Sequence, residues 1–88
     1  MTTQEKILNF VSEHFEIGDD PDFSADVNLF DFGFVDSLGA TEIVYYIESE
    51  FSIKITQKDI TLYPMNTVNE IAKVVDEKLR SLNVVSTN

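Results

Sequence analysis

The sequence has 88 residues, which is enough for one small domain but not for a deep enclosed pocket with a catalytic apparatus. Its 16 acidic and six basic residues give a formal net charge of −10, which disfavours nucleic acid and anionic membranes as partners, because both bind clustered Lys and Arg. The absence of cysteine excludes disulfides, thiolate metal sites and a cysteine nucleophile.

The same composition also indicates where the protein is located and which partners it could bind. No apolar run approaches the length of a membrane span, and Met1–Lys6 lacks the charged-then-apolar order of a signal peptide. We therefore expect a cytoplasmic protein with no membrane insertion, monomeric by default. The excess of carboxylates either maintains solubility or attracts a basic protein partner and raises the rate of encounter.

The first predicted helix runs from Thr2 to Glu16. Thr2 and Glu5 have the spacing of a capping box, in which each side chain accepts a hydrogen bond from the other's backbone N–H. His14 is the only histidine and has no nucleophile or second metal ligand at local spacing, so we expect it to be structural. Helical periodicity places four apolar residues on one face: Ile7, Leu8, Val11 and Phe15.

A long loop is predicted over Ile17–Asn28, because Gly18 and Pro21 break helices and the acidic residues between them favour turns. Four apolar residues are expected to anchor it to the core: Phe23, Val27, Leu29 and Phe30. The loop also carries the spacing of a calcium-binding loop, at Asp20, Asp22, Ser24, Asp26 and Asp31. Ala25 stands where that motif needs glycine, so a solvated acidic loop is the favoured interpretation and calcium binding through Asp20–Asp31 the alternative.

The second predicted helix, Leu38–Phe51, follows a tight turn at Gly33 and an Asp36-Ser37 pair. Its buried stripe is expected to consist of Ala40, Ile43, Val44, Ile47 and Phe51. Another face presents apolar groups flanked by carboxylates, an arrangement that suits docking onto a partner with a basic rim: Leu38, Thr41, Glu42, Tyr45 and Glu48. The alternative is that Tyr45 simply covers a neighbouring helix.

The remainder of the chain predicts two further helices. Ser52–Ile55 is expected to be an extended connector with Ile53 and Ile55 in the core, followed by a short helix, Gln57–Leu62. Thr56 is expected to cap this short helix and Ile60 to point inward. The last helix, Thr67–Leu82, begins with a second capping box formed by Thr67 and Glu70. Its buried face is predicted to hold Val68, Ile71, Ala72, Val75, Leu79 and Leu82.

These elements predict an all-α fold, a small antiparallel four-helix bundle with three long helices and one short one. The bundle forms a single domain over residues 1–88, ordered about 2–82, with a flexible C-terminal tail at 83–88.

Ser37 is the candidate functional residue. It stands at a helix N-terminus, where backbone N–H groups lack partners and the helix dipole favours negative charge. A phosphate ester on its hydroxyl would therefore be well placed. We interpret Ser37 as an attachment point rather than a nucleophile, with a plain N-cap as the alternative. No catalytic residue and no metal ligand is predicted, because no nucleophile–base pair or metal-ligand cluster is visible.

At Gly33-Phe-Val-Asp36-Ser37-Leu38 the sequence resembles the acyl carrier proteins and peptidyl carrier domains. The resemblance covers nearly the whole chain, including the helix order, the Glu48-Ser-Glu-Phe51 end of the second helix and the Ile53-Lys-Ile55 that follows. It implies that Ser37 carries a 4′-phosphopantetheine arm, transferred from coenzyme A by a separate magnesium-dependent phosphopantetheinyl transferase. The missing cysteines fit, because the thiol that holds the cargo as a thioester belongs to this cofactor.

The resemblance also implies roles for neighbouring residues. Asp36 would serve in capping or in recognition by the transferase. The face with Leu38, Thr41, Glu42, Tyr45 and Glu48 would be read by that transferase, by an acyl- or aminoacyl-loading ligase, and by a downstream acyltransferase or synthase.

Two glycines depart from the fatty-acid-synthesis pattern. Gly33 lies four residues before Ser37, and Gly39 follows Leu38. The chain therefore looks more like the discrete carriers of D-alanine transfer, aminoacyl loading and specialised biosynthesis. Because glycine is a poor helix former, we expect the start of this helix to be mobile. The alternative functions are a small acidic helical interaction module without a prosthetic group, and the calcium-binding protein.

Overall fold

The computed structural model describes residues 1–86 and contains four α-helices and no strand over that range. They are α1 (Thr3–His14), α2 (Ser37–Phe51), α3 (Gln57–Leu62) and α4 (Val68–Ser86). The helix α1 packs along α4, and α2 packs on α4 as well. The predicted all-α bundle of three long helices and one short helix is confirmed. Residues 87–88 of the expected flexible tail lie outside the described residues.

Three predicted caps are present and explain where the helices begin. Thr2 and Glu5 form a reciprocal capping box with two hydrogen bonds of 3.1 Å. Thr56 caps α3 and exchanges hydrogen bonds with Asp59 in the same way. At α4 the Thr67 N–H donates to Glu70 Oε1 at 3.1 Å, and the Glu70 N–H donates to Thr67 Oγ1 at 3.0 Å. Each box satisfies backbone donors that a helix start leaves without partners.

Two helix ends differ from their predicted positions. The helix α1 stops at His14 rather than at Glu16, because Glu16 has a φ of +56°, outside the helical region. The helix α4 continues four residues beyond the predicted end at Leu82, to Ser86.

The core lies where α1, α2 and α4 meet, and the connecting segments contribute to it. The connector residues Ile53 and Ile55 are buried, as predicted. The most deeply buried side chains come from all three long helices and from the first loop: Ile7, Val11, Leu29, Ile47, Val68, Ile71 and Val75.

Three apolar residues expected in the core or its anchors are instead exposed. Ile60 is 47% exposed, Leu82 51% and Phe30 38%. Phe30 and Ile60 line a groove between α2 and α3, and Leu82 lines a second groove between α3 and α4. The prediction that these residues fill the core is wrong, because the six-residue helix α3 contributes no buried side chain and leaves these grooves beside it.

The long first loop is held mainly by Leu29. Its side chain is fully buried, its N–H donates to the Asn66 carbonyl at 2.8 Å, and its carbonyl accepts from the N–H groups of Phe34 and Val35. Phe23 and Val27 are half-buried against the core, as expected of anchors. These contacts therefore fix the position of the loop, and with it the start of α2, relative to the core.

Candidate functional site

The chain turns sharply just before α2. Gly33 has a φ of +75°, a conformation that favours glycine, and this confirms the predicted turn. Val35 is then buried, and Asp36 is extended with φ −108° and ψ −172°. The Gly39 N–H donates to Asp36 Oδ1 at 2.8 Å, so Asp36 is the N-cap of α2.

Because Asp36 caps the helix, Ser37 does not. The alternative interpretation of Ser37 as a plain N-cap is therefore wrong. Ser37 is the first residue of α2 and is exposed. No hydrogen bond within the described part of the chain engages its hydroxyl. The hydroxyl stands free at the positive end of a 15-residue helix whose first turn carries no acidic residue.

Gly39 has a packing role that the sequence did not reveal. It is buried, and a Cβ atom on it would lie 2.8 Å from Phe15 Cε1 and 3.0 Å from Val35 Cγ1. Any larger residue would have to displace the Phe15 ring or Val35. Glycine thus lets the first turn of α2 pack closely on the end of α1 and on the preceding loop.

Three of the five residues predicted to face partners are exposed beside Ser37. Leu38 is 70% exposed and Tyr45 74% exposed. Thr41 is exposed as well, and its hydroxyl donates to the Ser37 carbonyl at 3.2 Å. The alternative in which Tyr45 covers a neighbouring helix is wrong, since a residue covering another helix would be largely buried.

The two glutamates of that predicted face have partners within the chain. Glu42 Oε1 lies 3.1 Å from His14 Nε2, which links α2 to the last turn of α1. Glu48 Oε2 accepts a hydrogen bond of 2.9 Å from the Ile55 N–H and so holds the connector after α2. His14 also stacks on Phe10 with ring centroids 4.8 Å apart, in line with the structural role expected for it.

An exposed aromatic residue lies five positions before Ser37. Phe32 is 53% exposed and stacks on Phe34, with centroids 5.9 Å apart. Phe34 in turn meets Phe23 edge to face at 6.0 Å, which fixes the pair to the loop. Phe32 was not among the predicted site residues, and the alternation Phe30-Asp-Phe32-Gly-Phe34 was the signal that could have indicated it.

A groove lies between the Ser37 half of α2 and the exposed helix α3. It has a volume of about 440 Å³ and no charged side chain lines it. Ala40, Ile43 and Val44 contribute from α2, and Ile60 and Leu62 contribute from α3. This wall suits an uncharged, apolar group.

The side chains of the acidic loop bond mainly to the backbone of the loop itself. Asp20 Oδ1 accepts from the Asp22 N–H at 2.8 Å, and Ser24 Oγ accepts from the Asp26 N–H at 3.3 Å, so these side chains stabilise turns. Asp26 also accepts a hydrogen bond from the Asn69 side chain. Within residues 1–86, no three His, Asp or Glu side chains are placed to hold a metal ion together.

Comparisons with known proteins identify similar sequences over most of the chain. The chain matches the family described as "Phosphopantetheine attachment site" over residues 5–75. It is 36% identical to the D-alanyl carrier protein of Streptococcus uberis over 77 residues, which are 88% of this chain and 95% of that protein. It is 33% identical to the D-alanyl carrier protein of Streptococcus suis over 81 residues, which are 92% of this chain and 100% of that protein. The corresponding protein of Streptococcus equi subsp. zooepidemicus is 34% identical over 77 residues, 88% of this chain and 95% of that protein.

No helix of the described residues combines the length and apolar character that crossing a membrane requires.

Proposed function

This chain belongs to the phosphopantetheine-attachment family of carrier proteins, and from that premise we propose that Ser37 is the residue that bears the arm. The cofactor of the family is 4′-phosphopantetheine, and the predicted resemblance to discrete carriers is confirmed by the D-alanyl carrier relatives. The observation that carries the proposal is the free, exposed Ser37 hydroxyl at the first position of α2, with capping left to Asp36.

The residues around Ser37 fit a phosphodiester. The start of α2 carries the positive end of the helix dipole, and the Asp36 carboxylate is directed to the Gly39 N–H. In the proposed modification Ser37 Oγ loses its proton and bonds to phosphorus, while the pyrophosphate bond of coenzyme A breaks and adenosine 3′,5′-bisphosphate leaves. A separate magnesium-dependent transferase would catalyse this step, and the bound arm supplies the thiol for a thioester.

We propose that Leu38, Thr41 and Tyr45 form the surface that the transferase and a loading ligase contact. Their exposure along the first nine residues of α2 supports this, because a docked enzyme must reach Ser37 itself. Glu42 and Glu48 would add negative charge at the edge of this surface and favour a basic partner. Glu42 remains 45% exposed despite its contact with His14.

The cargo would be an acyl or aminoacyl group held as a thioester. The loaded arm would rest against the apolar groove between α2 and α3 and swing out when a downstream acyltransferase or synthase docks. The D-alanyl carrier relatives support an aminoacyl cargo, while the uncharged groove wall would accept an apolar acyl chain.

The proposal is tested by the intact mass of the protein after incubation with coenzyme A, magnesium and a broad-specificity phosphopantetheinyl transferase. Wild type is expected to gain the mass of one phosphopantetheine, and Ser37→Ala none. Ser49→Ala is the matched control, since Ser49 is exposed on the same helix and should leave modification intact. A mass gain in Ser37→Ala would place the arm on another residue, and no gain in folded wild type would leave an interaction module without a prosthetic group.

The proposed surface is tested by the rate of the same reaction. Tyr45→Ala is expected to slow modification, whereas Leu82→Ala, an equally simple truncation of an exposed apolar residue on α4, should not. The Glu42→Lys/Glu48→Lys variant should slow modification more at low salt than at high salt, because salt screens exposed charges. Equal slowing at both salt concentrations would remove the electrostatic part of the proposal.

A further inference from the structure

The end of α1 contacts the first two turns of α2 through two consecutive residues. Phe15 follows the last residue of α1, and its ring lies against Gly39. His14 Nε2 lies 3.1 Å from Glu42 Oε1. Because Gly39 and Glu42 are three positions apart, they share one face of α2. The end of α1 therefore supports the part of α2 that begins with Ser37.

The contact between Phe15 and Gly39 leaves no room for a side chain at position 39. A Cβ atom there would lie 2.8 Å from Phe15 Cε1, 3.2 Å from Phe15 Cζ and 3.0 Å from Val35 Cγ1. Carbon atoms in ordinary contact lie about 3.5–4.0 Å apart. The backbone of α2 is therefore so close to the ring that even one added methyl group would force the ring, Val35 or the helix to move.

The Phe15 ring is itself held in place, so the displacement would not fall on the ring alone. It is partly buried against the core and meets the His14 ring edge to face, with centroids 4.9 Å apart. The backbone of Phe15 is fixed as well, because its N–H donates to the Val11 carbonyl at 3.1 Å. Since the ring can move only by giving up this packing, an added methyl group would also displace the first turn of α2.

Hydrogen bonds connect Gly39 to Ser37 within this first turn. The Gly39 N–H donates to Asp36 Oδ1 at 2.8 Å, and the Ala40 N–H donates to the Asp36 carbonyl at 2.8 Å. The Thr41 hydroxyl donates to the Ser37 carbonyl at 3.2 Å. Ser37 thus belongs to one hydrogen-bonded turn, and a displacement of Gly39 would be transmitted to the Ser37 hydroxyl.

We propose that Phe15 is a positioning residue for the attachment of phosphopantetheine: by packing on Gly39, its ring sets where the first turn of α2 holds the Ser37 hydroxyl. This inference rests on the proposed function and adds to it a residue of α1 that lies 22 positions before Ser37. A docked transferase must bring a phosphorus atom of coenzyme A to Ser37 Oγ, and a misplacement of about 1 Å can slow such a reaction about 100-fold. The effect should fall on the chemical step rather than on docking, because the docking residue Tyr45 lies beyond the displaced turn.

The test is a single-turnover assay of the full chain with coenzyme A, magnesium and an excess of a broad-specificity phosphopantetheinyl transferase, followed by intact mass. Varying the transferase separates the rate at saturation from the concentration that gives half of that rate. Gly39→Ala should lower the saturating rate about tenfold and change the half-saturating concentration less than about twofold. Gly18→Ala is the matched control and should react as wild type does, because the nearest contact of its methyl group outside its chain neighbours would be Ser12 Cβ at 3.4 Å.

A second substitution, on α1, separates positioning from stability. Alanine is a better helix former than glycine, so Gly39→Ala does not weaken the helix itself. Phe15→Leu removes the ring atoms nearest to position 39, so the double variant should recover the saturating rate to within about threefold of wild type. Two merely destabilising substitutions would instead make the double variant the slowest.

Amide hydrogen exchange gives a readout that does not involve the transferase. The amide of residue 39 should exchange faster in Gly39→Ala, because its hydrogen bond to Asp36 lengthens, and should be protected again in the double variant. Circular dichroism at the assay temperature establishes that each variant is folded.

Four results would overturn this inference. A wild-type saturating rate in Gly39→Ala, or slow modification that Phe15→Leu does not relieve, would show that this contact does not position Ser37. A changed half-saturating concentration at an unchanged saturating rate would assign Gly39 to docking. These three results leave attachment at Ser37 in place. No modification of folded wild type would overturn the proposed function together with this inference, and it is distinguished from the others because Gly18→Ala is then equally inert.

Discussion

The helices α2 and α3 both begin with a side-chain cap. The start of α2 and the whole of the short helix α3 are nevertheless held in the molecule by different forces. At the start of α2, Val35 and Gly39 are buried and Leu29 anchors the loop that leads into it. No residue of α3 is buried, and its tie to α4 is the ion pair between Asp59 and Lys78.

This difference has consequences for stability and motion. Burying one large apolar side chain contributes about 1.5–3 kcal/mol, whereas the attraction within the part-buried Asp59–Lys78 pair is offset by the cost of desolvating two charges and contributes about 1 kcal/mol or less. We therefore expect the start of α2, with Ser37, to lose its structure only when the whole protein unfolds. The helix α3 is expected to unfold locally at a smaller free-energy cost. In the proposed carrier function, Ser37 would therefore stand on the more stable of the two regions, beside a groove wall that opens more easily.

The largest contrast is expected from matched leucine truncations in the two regions. Leu29→Ala should lower the free energy of unfolding by about 2–5 kcal/mol, because it empties a fully buried site. Leu62→Ala, on a side chain 58% exposed in α3, should lower it by less than about 0.5 kcal/mol. Urea unfolding followed by circular dichroism measures both, and similar losses for the two variants would contradict the comparison.

A second test replaces Gly39, through which the start of α2 packs on Phe15 and Val35, with a larger residue. Gly39→Val should destabilise the protein by about 1–3 kcal/mol, because the new side chain would overlap the Phe15 ring and Val35. Thr41→Val, which places the same side chain at an exposed position of the same helix, serves as the control and should change stability by less than about 0.5 kcal/mol. If Gly39→Val is as stable as wild type, close packing is not the reason for glycine there.

Two substitutions of Asp36 distinguish its role as the N-cap of α2 from the effect of its negative charge. Asp36→Ala should cost about 1 kcal/mol of stability, since the Gly39 N–H loses its acceptor. Asp36→Asn should retain most of that stability because asparagine caps equally well. If Asp36→Asn is nevertheless modified more slowly, the transferase reads the carboxylate itself, whereas wild-type rates would limit Asp36 to capping.

The smallest effect on stability is expected for the ion pair between Asp59 of α3 and Lys78 of α4. The hydrogen bond from Lys78, followed by that from the Thr56 backbone, lowers the pKa of Asp59 from 3.8 to about 2. Since the folded-state pKa lies below the unfolded value, the contribution is full above pH 3.8 and is lost as the pH falls towards 2. Asp59→Asn should therefore cost less than about 1 kcal/mol at pH 7, and its difference from wild type should vanish near pH 2.

Two measurements complete this test. Asp19→Asn, at an exposed loop position, should match wild type across the same pH range. Amide hydrogen exchange in Asp59→Asn should accelerate in α3 and remain unchanged at the start of α2. Faster exchange in both regions would mean that they open as one unit, contrary to the comparison.

Much of this fold could be predicted because its signals are local. The capping boxes at Thr2, Thr56 and Thr67 set three helix starts through residues three positions apart. The turn at Gly33 followed from the conformational freedom of glycine. The pattern around Ser37 indicated the carrier family, which the matches to known carriers confirm.

The residues that were predicted wrongly all depend on what another part of the chain provides. Ile60 and Leu82 have apolar periodicity, but the six-residue α3 leaves their faces open. The close packing of Gly39 could not be predicted, because Phe15, its packing partner, is 24 positions away in the sequence.

By itself, the sequence determined the helices, the caps of α1, α3 and α4 and the candidate attachment residue, since hydrogen bonds and periodicity within one or two turns decide these features. Only the tertiary structure decided that Glu42 bonds to His14, that Gly39 packs on Phe15, and that two grooves flank α3. The physical reason is that these features depend on distances between segments far apart in the chain, which only the packing of the helices fixes.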